Sequence, residues 1–238
     1  MDLRSILDEY SYKTELHSHT NPCSNCGKLP ADFDARLYAK LGCHTLTITN
    51  HLDPDKYARF KTPAELAEFY VSDYYKAKKA AEGTGLCVAL GAEVRFVGTI
   101  NDYLVYGISP EDIEEIATYL PLGIEAFYKG FKNNKNVIIH AHPFRNNMEP
   151  TPLGFVDGIE SLNLHPSANS RVGLATRFAR DNNLLVTAGS DFHDPDRMAM
   201  ALMRTKTQLR DSFDVAEAIK SRDVVFDMSG HIIIPYLY

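Results

Sequence analysis

The chain has few cysteines, no long apolar run and no cluster of positive charge, and each shortage removes a class of protein. Four cysteines, Cys23, Cys26, Cys43 and Cys87, are too sparse in 238 residues for a disulfide scaffold. No segment approaches the roughly 20 apolar residues of a spanning helix, and the closing "IIIPYLY" is too short, so no membrane partner is expected. The formal net charge is −6 without any run of lysine or arginine, which argues against an extended nucleic-acid partner. A small anionic substrate stays compatible with that charge, because a bound metal ion dominates the field around it. The opening "MDLRSILDEYSYK" is acidic where a secretory signal has a basic start and an apolar core, so the expected compartment is the cytoplasm. Repeats, low-complexity tracts and linkers rich in Pro, Gly or Ser are also missing. With 45% hydrophobic side chains, residues 1–238 read as one domain.

What the chain does contain is an alternation of short β-branched runs with longer amphipathic segments. "SYKTELHSHT" reads as a strand, followed by a helix in "PADFDARLYAKLG" that Pro30 opens and Gly42 closes. "HTLTITNH" is the next strand. Its helix starts at Thr62, Pro63 and Glu65, an N-cap, N1 and N3 pattern. "LCVALGAEVRF", "DYLVYGIS", "NVIIHAHP", "DGIESLNL" and "LLVTAGSD" read as further strands, and "SFDVAEAIKSRD" as a late helix before a strand or hairpin in "VVFDMSGHIII". One helical stretch is expected from "PEDIEEIATYL" through "GIEAFYKGFKNN". Such strand-then-helix units predict an α/β fold, a parallel sheet covered by helices, either closed as a barrel or open and doubly wound. The loop from Pro143 to Gly154 is long enough to cover a site as a lid.

Histidines and acids gather at the C-terminal ends of these strands: His17 and His19, His51, Glu93, His140 and His142, His165, then Asp191 and His193. In a barrel of alternating strands and helices that rim carries the chemistry. Residues two apart on a strand share a face, so His17 faces one way with His19, and the same holds for His140 with His142 and Asp191 with His193. Nine histidines would give about 0.3 His-x-His pairs by chance, and the two present make the set informative where each pair alone is weak. Imidazoles with carboxylates suit Zn, Mn or Fe, and a carboxylate such as Glu93 can bridge two ions a few ångströms apart.

Five segments in order, "ELHSHT", "TITNH", "GAEV", "HAHPF" and "GSDFH", resemble the motifs of the PHP (polymerase and histidinol phosphatase) family of metal-dependent phosphoesterases, over Lys13 to Asp194. The resemblance implies a distorted (β/α)7 TIM-like barrel, two or three divalent metal ions, and hydrolysis of phosphate esters by metal-bound hydroxide. Carried over residue by residue, it implies that His17, His19, Glu93 and Asp191 hold one metal, that Glu93 bridges to a second bound by His142, and that His51 and His193 serve a third. Three departures stand out. Asn50 occupies a position that is usually Asp. "VGTINDYLVYG" lacks a histidine that many three-metal members carry, leaving His140 or His165 as substitutes. "NPCSNCG" follows the first motif where an aspartate or histidine ligand is common.

The expected function is therefore hydrolysis of a small phosphorylated metabolite or nucleotide, with His193 or Asp191 handling a proton and Arg145 as a phosphate clamp. The rival readings are an amidohydrolase-like C–N metallohydrolase and a degenerate PHP module that binds metal or phosphate in a regulatory role. For the histidine pairs the bland reading is core histidines bonded to the backbone, and for Glu93 and Asp191 a buried ion pair with Arg95 or Arg145. Cys23 and Cys26 form a C-x-x-C that reads as a redox pair, half of a zinc site, or a loop beside the metals with either thiolate as a ligand. His44 and His231 read as structural or exposed.

Overall fold

The computed structural model describes residues 2–236. In chain order the elements are α1 (Leu3–Glu9), β1 (Tyr12–Ser18), α2 (Ala31–Lys40), β2 (Thr45–Ile48), β3 (His51–Leu52), α3 (Pro54–Tyr57), α4 (Pro63–Ala81), β4 (Cys87–Leu90), β5 (Ala92–Arg95) and β6 (Asp102–Tyr106). They continue as α5 (Asp112–Tyr119), α6 (Ile124–Phe131), β7 (Val137–His140), β8 (Gly158–Asn163), α7 (Val172–Asp181), β9 (Leu185–Gly189), β10 (Ala201–Thr205), α8 (Ser212–Ser221), β11 (Val225–Met228) and β12 (His231–Ile233). None of the described helices is long and apolar enough to cross a membrane. The last two residues of "IIIPYLY" lie outside the described part.

The α/β alternation is as expected, but the strands are neither all parallel nor closed in one ring. Among the described residues they form two six-stranded sheets, ordered β12-β11-β10-β1-β2-β4 and β3-β5-β6-β7-β8-β9. Parallel pairing links β1, β2 and β4, and also β7, β8 and β9. β3 and β5 are also parallel, whereas β10 runs antiparallel to β1 and β11, β11 to β12, and β6 to both β5 and β7. For β5 and β6 the physical reason is local. "DYLVYG" returns to β5 after a turn too short for a crossover helix, and an antiparallel neighbour is what a short connection allows.

Two predicted strands cross from one sheet to the other. "HTLTITNH" breaks into β2 and β3 at Thr49 and Asn50, and "LCVALGAEVRF" breaks into β4 and β5 at Gly91. A Cβ at Gly91 would stand 2.8 Å from the Thr49 side chain and 3.0 Å from that of Thr47, so only glycine lets the two crossings pass this closely. A third junction joins the end of β1 to the segment after β9, where His19 N donates to Phe192 O and Phe192 N donates to His17 O. These junctions bring β1, β3, β5 and β9 to one rim.

Two apolar clusters hold the sheets. One packs α2, α4 and α5 against β2, β4 and β5 through Tyr38, Leu46, Ile48, Tyr70, Val94 and Ile116. The other joins β6 to β11 with α7 and α8 through Leu104, Ile139, Val186, Ala188, Val215 and Phe226. At roughly 1.5–3 kcal/mol per fully buried large side chain, these clusters outweigh any single polar contact in fixing the rim. The predicted helix after Ser109 is two helices, because Gly123 takes a left-handed backbone (φ +86) between α5 and α6.

Candidate metal centre

Glu93, on β5, sits among four imidazoles. Its Oε1 is 3.3 Å from His17 Nε2 and 3.1 Å from His142 Nε2, while its Oε2 is 3.3 Å from His19 Nε2 and 3.0 Å from His51 Nδ1. Asp191 Oδ1 completes the group, 3.4 Å from His17 Nε2, 3.3 Å from His19 Nε2 and 3.4 Å from His193 Nδ1. All seven residues expected to ligate metal, His17, His19, His51, Glu93, His142, Asp191 and His193, thus converge. Asp191 and His142 reach the centre from left-handed backbone, φ +52 and +32, a strained conformation for non-glycine residues.

Which atoms are bare decides whether cations fit. His17 Nδ1 lies 2.9 Å from Glu160 Oε1, so this nitrogen donates and the Nε2 lone pair turns toward Glu93, Asp191 and His19 Nε2, the last at 3.1 Å. With the rings neutral, as metal ligation requires, acceptors face acceptors. Glu93 Oε2 is buried beside two rings yet makes no hydrogen bond, and His142 Nδ1 is likewise buried without a partner. A buried carboxylate oxygen beside two imidazoles with no hydrogen bond of its own fits a shared cation. Ligand atoms in each of the groups His17–His19–Asp191 and His17–Glu93–His142 lie within 4.8 Å of one another.

The electrostatics follow from packing carboxylates against rings. Burial alone would lower the pKa of His17, but Asp191, Glu160 and Glu93 outweigh it and raise it well above the usual 6.5. His51 is raised to about 10 against burial, by Glu93 and Cys26. Glu93 and Asp191 are held well below the ordinary range despite burial, chiefly by His51 and His17 for the former and by His17 and His19 for the latter. His19 goes the other way, lowered by burial and by the neighbouring His51. His193 is raised against burial by Cys26 and Asp191.

Arg145 is at the centre but not free. It pairs with Asp191 Oδ2, donates to Asn163 Oδ1 at 2.8 Å, and sits 3.4 Å from Ser170 Oγ. The 143–154 loop is pinned rather than hanging open, since Thr151 N meets His140 Nδ1 at 3.2 Å and Glu149 O accepts from Asn101. This contact takes His140 out of the ligand groups, stacked on Tyr103 with its pKa lowered to about 3 by burial and His142. His165 stands edge-on to His193, with ring centroids 4.9 Å apart, and lines an open cavity of about 260 Å³ together with Cys26, Lys28, Asp191, His193 and Arg197. Asn50 does not orient a ring: its Oδ1 accepts from Thr20 N and its Nδ2 donates to Thr20 Oγ1, tying the first-motif loop to the β2–β3 crossing.

Sequence reasoning missed Glu160, Asn163 and Asp102. Glu160 accepts from His142 N and from Asn163 Nδ2 in addition to holding His17. The available signal was a lone carboxylate inside the otherwise apolar or small run "GIESLN". Asp102 lies with His51 and Glu93 within ligand distance, but both its oxygens take the Arg95 guanidinium at 2.7 Å. The C-x-x-C is no disulfide; Cys23 is buried and Cys26 exposed, and both are free thiols.

A solved structure of a two-domain protein from Bacteroides vulgatus ATCC 8482, described as containing a predicted PHP-like metal-dependent phosphoesterase, overlays with a TM-score of 0.61 at 15% identity over 90% of this chain. The chain has the PHP-like fold. A putative metal-dependent phosphoesterase from Bifidobacterium adolescentis ATCC 15703 gives 0.51 at 18% identity, covering 86% of this chain and 94% of its own. An amidohydrolase from Chromobacterium violaceum, solved with bound sulfate and no metal, gives 0.55 at 16% identity, covering 93% and 98%. The chain spans 64% of the length of the Bacteroides protein. No family model matches the sequence, and neither does any curated protein. In this chain, the rim of the fold is where Glu93, Asp191 and their imidazoles meet.

Proposed function

We propose that the protein is a metal-dependent hydrolase of phosphate esters acting on a small phosphorylated metabolite or nucleotide. The observation that carries this reading is the two-sided environment of Glu93, one oxygen toward His17 and His142 and the other toward His19 and His51, which is how a carboxylate is placed to bridge two cations. In this reading His17, His19, Glu93 and Asp191 would hold one divalent ion, Glu93 and His142 a second, and His51 with His193 a third. Zn, Mn and Fe all suit such donors. Bound ions of this kind supply Lewis acidity toward a phosphoryl oxygen and an activated water.

The protein's own groups do the rest. Glu160 fixes the His17 tautomer, so that Nε2 and not Nδ1 faces the centre. Arg145 and Asn163 position Asp191 through its Oδ2, leaving Oδ1 toward the histidines. Arg145 is therefore a positioning residue in the resting arrangement, rather than the free clamp that its loop position suggests. His193 Nδ1 is 2.7 Å from the Asp191 carbonyl, which leaves Nε2 as the atom that would hold a cation or, with that position empty, hand a proton to a leaving alkoxide. Arg197 and Lys28, the latter paired with Asp194 Oδ2 at 2.5 Å, line the cavity and are its cations toward a phosphate.

The test is phosphate release. Protein stripped by chelation and reloaded with Mn or Zn is expected to hydrolyse members of a panel of phosphomonoesters and diesters, and to leave amide and lactam substrates in the same panel intact. Release from no phosphate ester contradicts the proposal, and turnover confined to the amides would transfer the centre to C–N hydrolysis.

A further inference from the structure

Cys26 is built into the centre rather than lying beside it. Its Sγ belongs to a group of four ligand atoms, from His19, Cys26, His51 and His193, that lie within 4.8 Å of one another. The loop that carries it is tied to each of those histidines by the backbone. Ser24 Oγ accepts from His51 N at 2.8 Å, Lys28 N donates to His193 O at 2.8 Å, and Gly27 packs so tightly on His19 that a Cβ there would stand 2.7 Å from the His19 carbonyl oxygen. Thr20 and Cys23 anchor the loop's other end on the buried Asp73 carboxylate. A surface loop fixed at four points around one thiol has its cysteine placed, not merely tolerated.

The two rings are set up for the same ligand. His193 Nδ1 faces the Asp191 carbonyl and His51 Nδ1 faces Glu93, so Nε2 is the nitrogen of each ring left for a further ligand or ion. His19 stacks between them, its ring centroid 4.6 Å from that of His51 and 4.4 Å from that of His193. One thiol and two imidazoles with an open side make a three-ligand site of the kind that binds zinc with room for a fourth group.

We infer that Cys26, His51 and His193 form a thiolate-bearing metal subsite that selects a thiophilic ion, Zn(II) or its probe Co(II), over Mg(II) and Mn(II). The inference rests on the metal reading proposed above and makes one of its positions chemically distinct. The carboxylate-rich positions around Glu93 and Asp191 accept hard and borderline ions alike, whereas sulfur ligation favours the softer ones. Binding replaces the thiol proton, which leaves to solvent, with a sulfur–metal bond, and no oxidation is involved.

Cobalt titration tests this. Co(II) added to metal-stripped protein is expected to give the near-ultraviolet thiolate-to-cobalt charge-transfer band, and Cys26→Ser and Cys26→Asp are expected to lose that band while keeping the visible bands of cobalt at the remaining positions. In the unsubstituted protein, Zn(II) is expected to block alkylation of Cys26 by iodoacetamide, read by mass spectrometry, where Mg(II) does not. Absence of the band, its survival in Cys26→Ser, or equal alkylation with and without Zn(II) would overturn the inference. Phosphate release without a thiolate band would remove the subsite and leave the hydrolase, and a thiolate band without phosphate release would do the reverse.

Discussion

Glu160 shows how far the centre depends on a residue that touches no candidate ion. It holds His17 by Nδ1, accepts from His142 N, and is itself held by Asn163. Glu160→Gln keeps the shape but removes the charge that orients the ring. It is expected to weaken metal retention and hydrolysis by about 10–100-fold, read by metal competition and by initial rates. His17→Ala removes a ligand outright and is expected to abolish turnover with circular dichroism unchanged. Away from the centre, Asp34 on α2 is fully buried and neither of its oxygens has a partner; burial first and Glu15 second hold its pKa well above the ordinary 3.8. The folded chain keeps this proton where the unfolded chain has lost it, so stability is fullest below pH 3.8 as far as this group is concerned, and falls as pH rises toward the folded pKa. Asp34→Asn is expected to gain on the parent protein by up to about 1.4 kcal/mol per pH unit through that window in thermal melts. A gap that stays constant with pH would refute the assignment.

At the scale of elements, β9 ends in a glycine for a reason that lies in the site. A Cβ on Gly189 would stand 2.3 Å from Glu160 Oε1 and 2.5 Å from His17 Cβ, so Gly189→Ala should cost about 1–3 kcal/mol in denaturant unfolding and reduce bound metal together with it. Loss of stability with full metal content would show that the strand end and the centre are independent. Much of this level was legible. β1, β7 and β9 announced themselves by β-branched and apolar runs, and α4 by Thr62, whose Oγ1 accepts from Glu65 N at 3.2 Å. His17 with His19 was legible because a strand period of two turns spacing into a shared face. Asp191 and His193 instead lie past the end of β9 and His142 past the end of β7, with Asp191 and His142 in left-handed backbone, so their convergence does not come from the strand period. β10 escaped because "ALMRT" has only a terminal β-branched residue and no alternation, and only its neighbours β1 and β11 make it a strand. Glu160 escaped for a related reason: a single acid has no spacing partner, and its meaning comes from the parallel pairing of β8 with β9, which sequence does not print.

For the whole molecule, the fold acts by crossing chains between two sheets so that β1, β3, β5 and β9 end at one rim. The family pattern anticipated that rim, but not the mixed strand directions or the two separate sheets. Because the acceptors at the rim face one another, cations should stabilise the folded state by mass action. Metal-stripped protein is expected to melt lower, with about 2.7 kcal/mol recovered when free metal reaches about 100 times its dissociation constant. The most direct test of the central claim, that Glu93 bridges cations held by imidazoles from separate strands, is elemental analysis of protein purified without chelator, alongside Glu93→Gln. The account predicts two or three divalent ions per chain in the parent protein and loss of more than one in the variant. Full occupancy in Glu93→Gln, or a parent protein that takes up no divalent ion on reloading, would contradict it.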